Sequence, residues 1–119
     1  MAKIENYRGL DVWQCSMDLL DEIYPLTKKL PVNERYVLVS QMRRAALSIP
    51  SNIAEGYGRK HRGDYVHHVS IAFGSLCELE TQLIVCGGKK YISKQDAKQA
   101  WELLQRGGKM LNRLRSSLQ

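Results

Sequence analysis

The chain of 119 residues has the length of one domain, and its 44% hydrophobic and 25% charged residues are typical of a globular protein. No apolar run approaches the roughly 20 residues of a membrane span, and the first ten residues lack a signal core. We therefore expect a cytoplasmic protein that does not act at a membrane. The three cysteines, Cys15, Cys77 and Cys86, lack C-x-x-C spacing, which predicts reduced thiols packed among apolar residues.

The net charge of +6 is divided into zones along the chain. Residues 1–34 carry a net charge of −2, residues 35–62 of +5, residues 63–88 of −3 and residues 89–119 of +6. Two interpretations stay open. Alternating zones allow neighbouring helices to attract one another, but the excess of cations also needs solvent or a partner. Polyanions are the usual partners of such an excess.

Residues 1–9 are polar and predict a loose N-terminal arm. The first helix begins at Asp11, a plausible N-cap, and apolar residues then recur at steps of three and four along two adjacent stripes. The stripes comprise Trp13, Met17, Leu20, Tyr24 and Thr27, and Val12, Leu19, Ile23, Leu26 and Leu30. Pro25 lies inside this pattern, and it predicts a bend rather than an end.

The second helix is predicted to begin near Glu34, capped by Asn33, after a turn at Leu30-Pro31. Its inner side comprises Tyr36, Leu38, Met42, Ala45, Ala46, Ile49 and Ile53. Because the apolar pattern continues past Pro50 to Gly56, we predict one helix kinked at Pro50. Ser48, Ser51 and Asn52 are interpreted as side chains that satisfy backbone groups near the proline. Gly56 and the following glycine suit a left-handed C-cap.

A third helix is predicted from Asp64, its cap, to about Val85, followed by a turn over residues 86–90. Gly74 and Ser75 in its middle allow another helix to come close. Ser93 caps a fourth helix, whose stripe is Ala97, Ala100, Trp101, Leu104, Gly108, Leu111, Leu114 and Leu118. Short connections make neighbouring helices antiparallel. The sequence thus predicts a single all-α domain over residues 1–119, an antiparallel up-down-up-down four-helix bundle.

The sequence contains only weak signals for a catalytic, metal or phosphate-binding site. His67 and His68 are adjacent and diverge by about 100° on a helix, so they cannot share a metal ion. No strand precedes the glycines near Tyr57, which excludes a phosphate-binding loop. We interpret Glu78, Glu80 and Gln82 as partners of Arg43, Arg44 or Gln41 across the second and third helices. We therefore predict no catalytic residue, metal or cofactor, and an enzyme is the least favoured class.

The segments LTKKLPVNERYVLVSQMRRAALSIPSNIAEGYGR (residues 26–59) and IAFGSLCELETQL (residues 71–83) resemble one family. It comprises the four-helix-bundle proteins encoded in intervening sequences of bacterial 23S rRNA genes, which are similar to the accessory variability proteins of diversity-generating retroelements. The resemblance extends from Leu10 to Asn112. It implies an antiparallel bundle that assembles as a ring, commonly a pentamer, with basic surface suited to nucleic acid. In the retroelement relatives the ring also engages a reverse transcriptase.

Two positions depart from the family pattern: residues 87–90 replace a leucine-glycine turn, and Arg113 stands where a small residue is expected. The leading hypothesis is a non-enzymatic oligomer that binds RNA or DNA phosphates. Its predicted contacts are Arg43, Arg44, Arg59, Lys60, Arg62, Arg106, Lys109 and Arg113, with Tyr57 as an exposed aromatic beside them. The alternative is a protein–protein adaptor, for example for a reverse transcriptase, whose basic patches meet an acidic partner.

Overall fold

The computed structural model describes residues 6–119, and its four long helices confirm the predicted all-α fold. The helices are α1 (Asp11–Thr27), α2 (Ser40–Tyr57), α3 (Arg62–Gly88) and α4 (Lys94–Leu118). A 3-10 turn (Tyr7–Gly9) precedes α1. A second 3-10 turn (Val32–Glu34) and a π-helical turn (Arg35–Val39) precede α2. These described residues contain no strand.

Each helix packs against two neighbours, in the order α1, α2, α3, α4 and back to α1. Short connections make consecutive helices antiparallel, which gives the predicted up-down-up-down bundle. The bundle measures 43 × 27 × 20 Å. One end carries the turn between α2 and α3 together with the end of α4, and the opposite end carries the other two connections.

One apolar core runs along the bundle, and every helix contributes a stripe to it. The stripes repeat at three and four residues because that spacing returns to the same side of an α-helix. Ile23, Met42, Ile53, Leu79 and Leu104 are fully buried. Burying one such side chain contributes about 1.5–3 kcal/mol relative to leaving it in water. This core fixes the positions of the exposed faces on which charged residues lie.

Neither of the two prolines inside helices ends its helix at the proline. α2 runs through Pro50 as a single helix, as predicted, and α1 continues past Pro25 to Thr27. Near Pro50, Asn52 Nδ2 donates to the Ser48 carbonyl at 2.9 Å and to Ser48 Oγ at 3.0 Å. A polar side chain therefore bonds to backbone near this proline, as predicted, but the carbonyl it reaches is that of Ser48 and not that of Ala46, the one that loses its helical donor to Pro50.

The connection between α1 and α2 differs from the prediction. Asn33 lies inside a 3-10 turn rather than at a helix cap, and α2 begins only at Ser40. The π-helical turn between them has more residues per turn than an α-helix, so it shifts the phase of the side chains. Tyr36, predicted on the inner side, is consequently 86% exposed, whereas Leu38 packs against the core.

The helix caps were predicted correctly only at α4. Ser93 Oγ accepts from the Asp96 backbone and Asp96 accepts from the Ser93 backbone, which completes a capping box. These hydrogen bonds lower the pKa of the Asp96 carboxyl. Asp11 and Asp64 lie in the first turns of α1 and α3 and make no cap bond, and both carboxylates instead suit the positive end of the helix dipole.

Gly56 acts by its small size rather than by a left-handed backbone, which corrects the predicted C-cap there. A Cβ at Gly56 would lie 2.8 Å from His68 Cβ, so the absence of a side chain lets α2 and α3 approach. None of the described glycines has a positive φ. The left-handed residue is Lys90 (φ 62°), because α3 continues to Gly88 beyond its predicted end. Gly74 faces open space rather than a neighbouring helix.

α3 is rich in apolar residues along most of its length. Alone among the described helices it is long and apolar enough to span a membrane by length and composition, with a mean hydropathy of 1.4. It packs against both α2 and α4, and it contributes Val69, Ala72 and Leu79 to the core. The apolar sequence of α3 is thus that of a helix with two packed neighbours in the bundle.

The predicted loose arm over residues 1–9 lies partly outside the described residues, which begin at Asn6. From there the chain is ordered. Asn6 Oδ1 accepts from the Arg8 backbone at 2.9 Å, and the Tyr7 ring packs edge-on against Trp13 at 5.4 Å. Residues 6–9 therefore form a capped turn attached to α1 rather than a loose arm.

Candidate nucleic-acid interface

The eight predicted phosphate contacts lie at three places on the bundle. Arg43 and Arg44 are near the start of α2, and Arg59, Lys60 and Arg62 surround the turn between α2 and α3. The other three cations lie on α4. At about 1.5 Å per residue, Arg43 and Arg59 are separated by about 24 Å along the bundle. The structure therefore does not bring all eight into one site.

Arg44 pairs across α2 and α3, as predicted. Its Nη2 donates to Glu78 Oε2 at 3.0 Å and also to the Gln41 side chain. Gln82 departs from the prediction, because it donates to Glu78 Oε2 on its own helix at 3.4 Å. Glu80 departs from the prediction: it accepts from Gln105 on α4. The Arg44 and Glu78 side chains are both exposed enough for solvent to screen the pair.

Arg43 is fastened to α1 rather than to an acid on α3. Its Nε donates to Thr27 Oγ1 at 3.0 Å, and its guanidinium lies 4.8 Å from the centre of the Tyr24 ring. Such a cation–π contact contributes about 0.5–1 kcal/mol at a partly exposed site. Arg43 therefore joins α1 to α2 while its charge stays unneutralised by any carboxylate of the described chain.

At the α2–α3 turn, one of three cations is neutralised. Arg59 Nη2 donates to Glu55 Oε1 at 2.8 Å, whereas Lys60 and Arg62 are exposed and form no ion pair with residues 6–119. Tyr57, predicted as an exposed aromatic, is half-buried and packs edge-on against Tyr65 at 6.1 Å. Its contact with α3 explains why it is less accessible than the sequence indicated.

Arg106, Lys109 and Arg113 form a cationic surface on one side of a single helix, which we name the α4 face. Steps of three and four residues place the three side chains within about 60° around α4. They point away from the core residues Leu104 and Leu111 and are exposed. None of the three pairs with a carboxylate in the described part of the chain. The predicted α4 residues are thus brought together with their charge available.

Two grooves at the opposite end of the bundle were not predicted. A groove between α3 and α4, of about 430 Å³, has a mostly apolar lining that includes exposed Ile84 and Trp101, and its charged lining residues are Lys94, Lys98 and Glu102. A larger one, of about 710 Å³, lies between the end of α1 and the π-helical turn. We name the second the linker groove; Lys28, Arg35, Tyr36 and Arg43 are among its lining residues.

Residues 8–113 match the family model of the 23S rRNA-intervening sequence protein. The chain belongs to this family. It is also similar to a crystal structure of a protein with unknown function from the S23 ribosomal protein family of Bacteroides thetaiotaomicron VPI-5482. That match has a TM-score of 0.78 at 27% identity and covers 87% of this chain and 96% of that chain. No curated protein is significantly similar in sequence.

In this member of the 23S rRNA-intervening sequence protein family, the segment that carries the resemblance forms a polar seam between α2 and α3. Ser48 Oγ and Ser75 Oγ lie 2.8 Å apart, and His68 Nδ1 lies 3.0 Å from Asn52 Oδ1. Glu55 Oε2 is 4.0 Å from the same histidine nitrogen. We name these five residues the α2–α3 seam. Their contacts hold two helices together, so most of the motif is structural.

The cysteines of this family member give no sign of a nucleophile. Cys15 and Cys86 are buried as predicted, but Cys77 is exposed on the outer side of α3. Burial raises the pKa of the Cys86 thiol to about 11, and it raises that of Cys15 although the Arg106 guanidinium opposes the shift. Both buried thiols therefore stay protonated at neutral pH. The described residues also hold no cluster of three or more metal-ligand side chains.

Proposed function

We propose that the chain is a non-enzymatic, oligomeric nucleic-acid-binding protein of the rRNA intervening-sequence type that acts in the bacterial cytoplasm. Its lysine and arginine side chains contact backbone phosphates. Because phosphates carry no base information, sequence preference is weak. No catalytic residue, metal or cofactor takes part.

The observation that carries this proposal is the α4 face. Three exposed cations lie on one side of a helix, and none is paired within residues 6–119. Glu102 is the one nearby acid on α4. Lys60 and Arg62 add unpaired charge at the end of the bundle to which α4 runs. Phosphates on one nucleic-acid backbone are spaced closely enough to reach several such cations at once.

Affinity measured against salt tests the proposal. A fluorescein-labelled RNA duplex and a DNA duplex of about 20 base pairs are titrated with the full chain at several salt concentrations between about 50 and 200 mM. Contacts with phosphates predict a linear fall of log K with log salt, by about 0.9 per contact on B-form DNA. Affinity that does not change over this range would contradict the proposal.

The proposed assembly is a homopentamer, in which the groove between α3 and α4 receives α1 of the next copy. α1 carries four acids and no Lys or Arg, and Asp18 and Asp21 on it are exposed. These acids complement Lys94 and Lys98, which line the groove. A contact between two different surfaces of identical chains closes into a ring when its rotation allows.

Light scattering tests the assembly, because a pentamer has five times the chain mass of 13.6 kDa. Ile84→Lys places a charge in the apolar groove and is expected to lower the mass. Gln99→Lys adds the same charge elsewhere on exposed α4 and serves as the control. An unchanged mass for Ile84→Lys, or a monomeric native chain, would contradict this assembly.

The two lysines that line the same groove favour a second candidate, an adaptor that receives an acidic partner protein such as a reverse transcriptase. A pull-down with the tagged chain, with and without nuclease, separates the two candidates. Partners lost after nuclease treatment support nucleic-acid binding, since they were held through RNA or DNA. Partners that survive digestion, and that Lys94→Glu with Lys98→Glu removes, support the adaptor.

A further inference from the structure

The linker groove combines an open cavity with an aromatic ring directed at solvent. Tyr36 is 86% exposed on the π-helical turn, and Val32, which also lines the groove, is exposed as well. The cavity of about 710 Å³ falls within the range of roughly 300–1,000 Å³ that is usual for small-ligand sites. An aromatic ring held in this position has both faces open to a flat partner.

Every charged side chain that lines the linker groove is positive. Lys28, Arg35 and Arg43 line it, no acid does, and none of the three cations forms an ion pair with residues 6–119. The nearest acid in sequence, Glu34, is engaged elsewhere, because its Oε2 accepts from the Tyr91 hydroxyl at 3.0 Å. A ligand that enters this groove is therefore expected to be anionic.

A second aromatic ring lies beside the groove. Tyr24 is 39% exposed, and Arg43 holds its guanidinium over that ring while its Nε is bonded to Thr27. Arg43 is thereby fixed in position at the groove wall, so it loses little side-chain freedom when it meets an anion. Aromatic rings alternating with fixed and mobile cations are the pattern of sites for single-stranded nucleic acid.

We propose that the linker groove binds one or two unpaired nucleotides of a single-stranded segment, with a base stacked on Tyr36 and the flanking phosphates held by Arg35 and Lys28. The proposal rests on the proposed nucleic-acid binding and names the form of nucleic acid that this site takes. A base inside a duplex is stacked on its neighbours and cannot offer its face. The groove therefore distinguishes single strands from duplexes, whereas the α4 face does not.

The competing occupant is a second copy of the chain, because exposed Tyr36 and Val32 resemble an interface. Charge disfavours a symmetric contact of this kind, since it would place Lys28, Arg35 and Arg43 of one copy against the same cations of the other. Like charges that are buried opposite each other are destabilising. An effect of Tyr36→Ala on assembly mass is thus the outcome that would assign the groove to protein contact.

The test measures anisotropy of labelled oligouridine and oligothymidine of about 12 nucleotides, and of a duplex of the same length, with the full chain. Tyr36→Ala is expected to weaken single-strand binding by about fivefold to a hundredfold, from the loss of one stacked base. Tyr36→Phe retains the ring and should bind like the native chain. Arg35→Gln should weaken binding and reduce its salt dependence. Val37→Ala, exposed next to Tyr36 but outside the groove lining, is the matched control.

The outcomes separate this inference from the proposed function. If the native chain binds neither strand nor duplex, the proposed function fails and the groove proposal fails with it. If the native chain binds but Tyr36→Ala changes nothing, or weakens strand and duplex equally, only the groove proposal is wrong. A changed mass by light scattering with unchanged affinity per chain also overturns it. Oligouridine and oligothymidine together show whether the groove prefers RNA or DNA.

Discussion

The arginines on and just after α2 and the three cations of the α4 face have the same charge but different surroundings. Arg43, Arg44 and Arg59 each bond to a side chain of the same molecule: a threonine, a glutamate and a glutamate. The three residues of the α4 face bond to none in the described chain. The sequence presents all six as equivalent candidates for phosphate contact, and the fold makes them unequal.

The difference has a physical consequence. A cation that is already paired must give up or share its partner before it meets a phosphate, so part of the new interaction is offset. An unpaired, exposed cation gives up only water and condensed ions. Arg43 and Arg44 therefore help to hold neighbouring helices together, whereas the three cations of the α4 face have no carboxylate partner within residues 6–119.

The largest expected effect is on binding by the α4 face. Replacing Arg106, Lys109 and Arg113 together with glutamine removes three contacts, which reduces the slope of log K against log salt by about 2.7. At about 1 kcal/mol per charged contact, affinity falls about a hundredfold at low salt. The measurement is anisotropy with the DNA duplex. Thermal melting should barely change, because all three side chains are exposed.

The matched variant is Arg44→Gln with Arg59→Gln, which changes two cations that are paired with glutamates, one on α2 and one just after it. We expect it to reduce the salt slope by less than about 1, since these side chains are engaged within the molecule. If the α2 variant lost as much slope per residue as the α4 variant, intramolecular pairing would not decide which cations bind, and the comparison would be broken.

The next effect concerns the close approach of α2 and α3 at Gly56. Gly56→Val builds a Cβ 2.8 Å from His68 Cβ and 3.1 Å from Tyr65 Cδ1, so the two helices must move apart. Overpacking of this kind destabilises by about 1–3 kcal/mol. Urea denaturation measures the loss as a lower midpoint.

The control for this change is Gly74→Ala on α3, where no atom lies within 4 Å of the new Cβ. Helix propensity alone predicts that it stabilises by up to about 1 kcal/mol. Equal effects of the two substitutions would mean that the close approach of α2 and α3 at Gly56 is unimportant.

The bundle itself was predictable from sequence because its signals are local and repeat. Apolar residues at steps of three and four, short connections and the Ser93 cap each specify geometry within a few residues. The continuation of α2 through Pro50 was also predictable, since the apolar pattern continues to Gly56. Each of these features can be predicted without knowing which residues of another helix pack against it.

The candidate site was less predictable because it depends on pairing between distant residues. Arg43 and Thr27 are 16 positions apart, and nothing near either residue shows that they meet. Tyr36 was placed on the inner side because an α-helical phase was extended through residues 35–39, which form a π-helical turn. The sequence did hold a sign that Tyr36 is exposed. The cations Lys28 and Arg35 lie close to it on either side of Pro31, and such a charged segment is more typical of a surface than of a core.

A smaller effect is expected at Arg43, which links α1 and α2. Arg43→Ala loses the bond to Thr27 and the contact with the Tyr24 ring, so we expect about 1 kcal/mol of destabilisation. Arg43→Lys keeps the charge but lacks the Nε donor and the planar group, and it should not restore stability. Full recovery of the urea midpoint by lysine would show that charge alone matters there, as at a phosphate contact.

The smallest effect is the coupling between Arg44 and Glu78. Their side chains are exposed to 60% and 40%, and exposed pairs usually contribute about 0.2–1 kcal/mol. A double-mutant cycle with Arg44→Ala and Glu78→Ala isolates the pair from the separate loss of each side chain. We expect a coupling near 0.5 kcal/mol that falls as salt is added, because screening weakens the attraction. A coupling of zero at low salt would mean that Arg44 is as free as the cations of the α4 face, and it would then belong with them as a phosphate contact.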